Sequence, residues 1–416
     1  MTPLALVSLL LCTAALFGWI SSRWLKLPIT IGTMALTGTC SIALIVFGEH
    51  TPGLQAWATG LVQQINFERL ILHGMLPLLL FAGAFLLDLK LLAREKLVVT
   101  ILSLFGTVFA AALVAVLMHW GLLALGINAG WLSCLFFGAL ISPTDPIAVL
   151  EMLRRVGVPG NVQAQLAGES LFNDGVGAVL FLALLDASRG ATPTISQVAL
   201  SLVVKAGGGL ALGIITAWPT SALMRRVQSY QVEILFTLSL AMGGYALAEL
   251  LHVSAPLEAV AAALALRRFN MNHPRSEIAH ESIDKFWELV DEVQNSILFV
   301  LLGLEVLAIS FPATSQRSGL TAIVVVTGVR FAIVALLIGL IRLLRPQTRS
   351  SILILSWGGL RGGLSIALAL LVPASAGRTW ILATTYIVVV FSIALQGGSM
   401  DLFLKRWNLS AGSSET

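Results

Sequence analysis

Two carboxylates and two neutral polar side chains stand within eight residues in Gly168-Glu169-Ser170-Leu171-Phe172-Asn173-Asp174-Gly175, inside an otherwise apolar run. A charge at the centre of a membrane-spanning helix costs roughly 2.5–3.5 kcal/mol on insertion scales, so charges kept there serve pairing, ion binding or both. Helical geometry puts Ser170 and Asp174 on one face and Glu169 and Asn173 on the neighbouring one. The local sequence supplies Asp174 with no cationic partner. An unpaired carboxylate in apolar surroundings is the group over which a proton and a small cation compete.

Upstream, Ser142-Pro143-Thr144-Asp145-Pro146 carries two prolines that remove amide donors and break the helical ladder in mid-span. Backbone groups freed inside a membrane are tolerated where they line a polar cavity, and a bound cation with the Asp174 carboxylate would fill one. Thr144 and Ser170 add neutral oxygens of the hard kind that alkali cations accept, so Asp174, Ser170 and Thr144 are the candidate cation ligands. Asn173 points about 100° away from Asp174 around the helix, toward the unwound backbone rather than the ion.

These residues need elements to hold them, and composition says what kind. The chain has 416 residues, 57% hydrophobic and 11% charged, against about 25% charged in a soluble domain. That describes an all-α polytopic membrane protein. The net charge of +4 does not point to nucleic acid, because the basic residues sit in short loops between apolar runs. Cys12, Cys40 and Cys134 lie in separate runs, and neither they nor the scattered histidines have metal-ligand spacing. No cofactor is expected. The first apolar run lacks a basic leader and reads as a span rather than a cleaved signal.

Runs near 20 apolar residues fall at roughly 4–20, 28–47, 70–87, 97–118, 130–150, 163–187, 197–220, 231–251, 256–268, 287–309, 319–341, 351–373 and 380–400, about thirteen spans in one transport domain covering 1–416. Of 25 Lys and Arg, 18 lie in the odd-numbered connections and the tail. The positive-inside rule then puts the N-terminus outside and the C-terminus in the cytoplasm. The charged connection at about 269–286 reads as an amphipathic link helix on the cytoplasmic face, and 405–416 as a short cytoplasmic tail.

The fifth run is broken by Pro143 and Pro146, and the twelfth by Gly358-Gly359-Leu360-Arg361-Gly362-Gly363. Runs two and nine both open at proline, Pro28 and Pro256, and runs three and ten carry Leu86-Leu87-Asp88-Leu89 and Leu302-Gly303-Leu304-Glu305. Each pair is seven runs apart, and an odd offset inverts the second copy. Repeats of inverted topology at about 1–187 and 231–400 would bring the two interrupted helices together near the midplane. Asp145 would neutralise the positive ends of the broken helices there; Arg361 would face the negative ends or pair with Glu169.

Ser142-Pro143-Thr144-Asp145-Pro146-Ile147-Ala148-Val149, the Gly168–Gly175 stretch and Trp357-Gly358-Gly359-Leu360-Arg361-Gly362-Gly363 together resemble the NhaP-type sodium/proton antiporters, relatives of the animal sodium/proton exchangers. Asn295-Ser296-Ile297-Leu298-Phe299 is similar to a further pattern of that family. The resemblance implies an NhaA-like antiporter fold in a homodimer in the inner membrane, exchanging a monovalent cation, sodium first and potassium as the alternative, for protons without net charge. It assigns Asp174 as the carrier, Thr144 and Ser170 as ion contacts, Asp145 and Asn173 as supports of the crossing, and Glu169 as the partner of Arg361. One departure stands out: many members carry Glu where Ala82 stands in Phe81-Ala82-Gly83-Ala84, and alanine cannot ligate an ion.

Two other classes rank lower. An intramembrane aspartyl protease would pair Asp145 with Asp174, but Thr144, Leu171 and Asn173 occupy the places of that class's Tyr and two glycines. A channel would line a continuous pore with rings of charge, which one titratable carboxylate at a helix break does not do.

Overall fold

The computed structural model describes residues 3–25, 29–47, 53, 60, 67–189, 195–227, 229–270, 277–309, 311, 313–343 and 349–406. In chain order the helices are α1 (Pro3–Ile20), α2 (Ile29–Phe47), α3 (Leu70–Phe85), α4 (Leu89–Ala124), α5 (Trp131–Ile141), α6 (Ile147–Val156), α7 (Gly160–Arg189) and α8 (Ile195–Met224). They continue as α9 (Tyr230–Leu250), α10 (Ala255–Asn270), α11 (Glu277–Glu305), α12 (Ala313–Ile341), α13 (Arg349–Gly358), α14 (Gly363–Leu370), α15 (Arg378–Gly397) and α16 (Met400–Arg406).

Among the described residues seven helices are long and apolar enough to cross a membrane, and eight if α13 and α14, bent by 43° at their break, count as one span. The physics is that of the sequence: in hydrocarbon every backbone group must be satisfied internally, and uninterrupted helix does this. Two stretches depart from it. α5 stops at Ile141 and α6 resumes at Ile147 because the prolines between them lack N–H groups. α13 stops at Gly358 and α14 resumes at Gly363 across a run with glycine at both ends.

One expectation needs correction. The proposed link helix at about 269–286 is not a separate element: from Glu277 its residues form the first turns of α11, which runs unbroken to Glu305. No proline or glycine separates the polar turns from the apolar ones, so the ladder has no reason to break. Residues 271–276 and the tail from 407 lie outside the described residues.

Buried apolar side chains form two clusters. One gathers Phe136, Phe137 and Leu140 of α5, Leu166 and Phe181 of α7, Val334 and Ile338 of α12 and Ile366 and Leu368 of α14. The other centres on Phe81 and Phe85 of α3, Trp287 of α11 and the α10 face from Ala259 to Leu266. Phe81 and Trp287 meet with ring centroids 4.7 Å apart. α7 touches both: Leu166 and Phe181 enter the first cluster, while Leu171, backed by Phe172, enters the second. The stretch from Ser170 to Asp174 therefore lies along the divide between two packed bodies.

Candidate ion-binding site

The two breaks meet backbone to backbone, the Asp145 N–H donating to the Leu360 carbonyl at 2.8 Å. Several of the groups orphaned around that bond find partners in the crossing itself. In an unbroken helix the Ser142 carbonyl would accept from residue 146, but that residue is Pro146. The Pro143 carbonyl would accept from Ile147, whose N–H instead donates to Asp145 Oδ1 at 3.1 Å. Arg361 takes both vacated carbonyls, its guanidinium donating to Ser142 O and, at 2.8 Å, to Pro143 O. Its own N–H donates to Ser392 Oγ at 3.0 Å, and Ser392 in turn donates to Gln396 Oε1 at 2.6 Å within a widened turn of α15.

Asp145 occupies the opposite pole. Its carboxylate caps the start of α6 and lies against Gly362, the residue from which α14 starts. A Cβ on Gly362 would come within 2.6 Å of Asp145 Cβ, so only glycine lets the two breaks approach this closely. Amide ends of half-helices carry partial positive charge, and a carboxylate is stabilised there.

The unwound strand between α5 and α6 is pinned to α7. Asn173 Nδ2 donates to Thr144 Oγ1 at 2.8 Å, and Asn173 Oδ1 accepts from the Thr144 N–H at 3.2 Å. Ser170 Oγ donates to the Thr144 carbonyl. Asn173 thus serves the backbone, and Thr144 O and Ser170 Oγ are brought together one helical turn from Asp174.

Thr144, Asp145, Ser170 and Asp174 all line one cavity of about 1160 Å³, whose wall runs on to Arg154, Arg155, Arg267 and Asp284. Asp174 is half-buried, and among the described residues it has neither a hydrogen-bond nor an ion-pair partner. Asp145 is its charged neighbour, close enough for the two carboxylates to repel. α3 presents Leu79, Leu80 and Gly83 to the cavity, and the turn that follows it adds Leu86 and Leu87; Ala82 is fully buried among apolar side chains and does not line it.

Glu169 requires a correction: its partner is Arg330 of α12, not Arg361. Both guanidinium NH₂ groups of Arg330 bind the carboxylate, one of them at 2.9 Å, and the latter also donates to Leu355 O at 2.8 Å. Gly359 makes the room, since a Cβ there would stand 2.6 Å from Arg330 Nε. Arg361 instead binds the Ser142 and Pro143 carbonyls just past the end of α5. Arg330 had a signal in the sequence, as an intramembrane cation that needs a counter-charge; Ser392 and Gln396 had none.

Two interrupted helices crossing beside an unpaired carboxylate in an open cavity are the architecture of a secondary transporter, with irregular backbone only where it lines the ion site. Comparison with known proteins narrows this class. The profile of the sodium/hydrogen exchanger transmembrane family matches residues 11–406. The Na(+)/H(+) antiporter NhaP of Pseudomonas aeruginosa is 38% identical over 409 residues, covering 97% of this chain and 96% of that protein. The Na(+)/H(+) antiporter NhaH of Halobacillus dabanensis is 31% identical over 377 residues, 88% of this chain and 91% of its own. The structure of the sodium proton antiporter MjNhaP1 from Methanocaldococcus jannaschii superposes with a TM-score of 0.76 at 20% identity, covering 98% of this chain and 99% of that one, a likeness of fold. The chain belongs to the sodium/hydrogen exchanger family. An aspartyl protease would belong elsewhere, and the two aspartates are already divided between a helix cap and a free carboxylate.

Proposed function

We propose that this protein exchanges a monovalent cation, sodium first, for a proton by alternating access, with Asp174 as the carrier that binds either one. The carrying observation is Asp174 itself, a carboxylate that lines an open cavity and has no counter-charge among the described residues, one turn from Ser170, whose hydroxyl is bonded to the carbonyl of the buried Thr144. Cation ligands are Asp174, Ser170 and Thr144; Asp145 and Asn173 hold the crossing in shape. The names of the relatives, Na(+)/H(+) antiporters, support sodium as the ion. Ala82, in place of a family carboxylate, leaves the ligand set one charge poorer and keeps potassium as the second reading.

The remaining architecture follows from the same reading. About thirteen spans form inverted repeats at about 1–187 and 231–400, in a homodimer of the inner membrane, with the N-terminus outside and the C-terminus cytoplasmic. With Arg154, Arg155 and Arg267 on the cytoplasmic side, the cavity faces inward. Everted vesicles carrying a pH-sensitive dye test the function. Adding sodium or lithium should collapse a preformed proton gradient, and indifference to sodium, lithium and potassium alike would reject exchange.

A further inference from the structure

The cavity contains oxygen ligands that exchange at Asp174 leaves unused. α11 lines it with Asp284, Glu288, Asp291 and Asn295, whose spacing stacks them on one helical face leading from the mouth inward. The packing fixes their depth. Leu298, one turn beyond Asn295, rests where a Cβ on Gly363 would stand 2.7 Å from it, and the adjacent Gly362 carries Asp145. Asn295 is therefore beside the crossing, and Asp291 one turn nearer the mouth, close enough to Asp145 to feel its charge.

These two residues are not equivalent to the outer acids. Asp284 is occupied by Arg267 at 3.0 Å, and Arg267 also donates to Phe85 O at 2.6 Å. Farther out, Arg155 is paired with Glu151. Asn295 is only 2% exposed, it stands one helical turn from Asp291, and its Oδ1 is buried without a donor among the described residues. A buried acceptor left without a partner is costly, by about 1–3 kcal/mol. The Arg154 charge reaches Asp291, and no ion pair joins the two among the described residues.

We propose that the Asp291 carboxylate and Asn295 Oδ1 form a second site for a monovalent cation, on the path between the cavity mouth and Asp174. It rests on the exchange reading, since its role is to supply Asp174. One carboxylate and one neutral oxygen, completed by water, make a hard-ligand set for an alkali ion. A site that must pass its ion onward has to hold it loosely, and two protein ligands do so.

Sodium-23 linewidths on purified protein test binding without requiring transport. In an Asp174→Asn background the sodium line should remain broadened, and adding Asp291→Asn should remove that broadening. Absence of broadening in Asp174→Asn, or its survival in the double variant, overturns the proposal. In proteoliposomes Asp291→Asn should raise the half-saturating sodium concentration by about threefold or more, and by more than it lowers the maximal rate; an unchanged half-saturation overturns the site. Should Asp291→Asn fold poorly, Asn295→Leu removes the neutral ligand while keeping every charge, and the same rise in half-saturation is expected. A parent protein that binds sodium but exchanges none would count against the exchange reading, which the linewidths do not depend on.

Discussion

Glu169 and Arg330 form a two-pronged ion pair between α7 and α12, buried beside the helix crossing. Arg330 simultaneously holds the Leu355 carbonyl on α13, so one guanidinium joins three elements of the same body. This frees Arg361 to close over the carbonyl end of α5. Two buried arginines thus divide two tasks, one pairing a side chain and the other a helix end.

Removing one partner of a buried pair strands the other, at a cost of about 3–5 kcal/mol. Arg330→Ala and Glu169→Ala should each lower thermal stability in detergent. In a double-mutant cycle Glu169 should couple more strongly to Arg330 than to Arg361. Stronger coupling to Arg361 would contradict the pairing.

Three glycines give a graded test of the crossing. Gly362→Ala would drive a methyl into Asp145, and Gly359→Ala one into Arg330, so both should lower folded yield or exchange by about tenfold or more, the size expected of overpacking by 1–3 kcal/mol. Gly243 in α9 has open space where its Cβ would go, and Gly243→Ala should stay within about 0.5 kcal/mol of the parent. Equal tolerance at all three positions, read by melting temperature and transport, would mean that the breaks do not touch.

Much of this is legible in the sequence. Pro143 and Pro146 announce a break because the amide donors are missing from the sequence itself, and the Gly358–Gly363 run announces the second. Helical spacing alone separates Asn173, which binds the Thr144 backbone and hydroxyl, from the face shared by Ser170 and Asp174. Arg330 and Arg361 were harder, because two intramembrane arginines compete for Glu169 and the choice is made in three dimensions. Gly359 makes room for one guanidinium, and the orphaned Ser142 and Pro143 carbonyls attract the other. The continuity of α11 through 277–286 was obscured by its change from polar to apolar turns, which alters the helix's surroundings without altering its ladder.

Orientation is open to labelling. With the exposed Cys12 and Cys40 and the buried Cys134 replaced, a single cysteine near Arg225, just past α8, should react only from the cytoplasm. One near Arg317, in the first turns of α12, should react only from outside. Reaction of both from the same side would refute the proposed topology.

A carrier that returns either one proton or one monovalent cation on Asp174 carries the same net charge in both directions. The membrane potential, worth about 2.3 kcal/mol per charge per 100 mV, then does no net work on the cycle. Proteoliposomes with a sodium gradient should acidify or alkalinise to the same extent whether or not the potential is clamped. A steady current on a solid-supported membrane that reverses with voltage would mean that a second proton travels, with Asp145 the first candidate.

The central claim is that proton and cation contest one carboxylate, and Asp174→Asn tests it most directly. The substitution keeps the shape and removes the charge, and no salt bridge is lost because none is made among the described residues. Measured in proteoliposomes by sodium-driven proton movement, the well-folded variant should show no exchange above empty vesicles. Exchange at the parent's rate by a correctly folded Asp174→Asn protein would contradict the account.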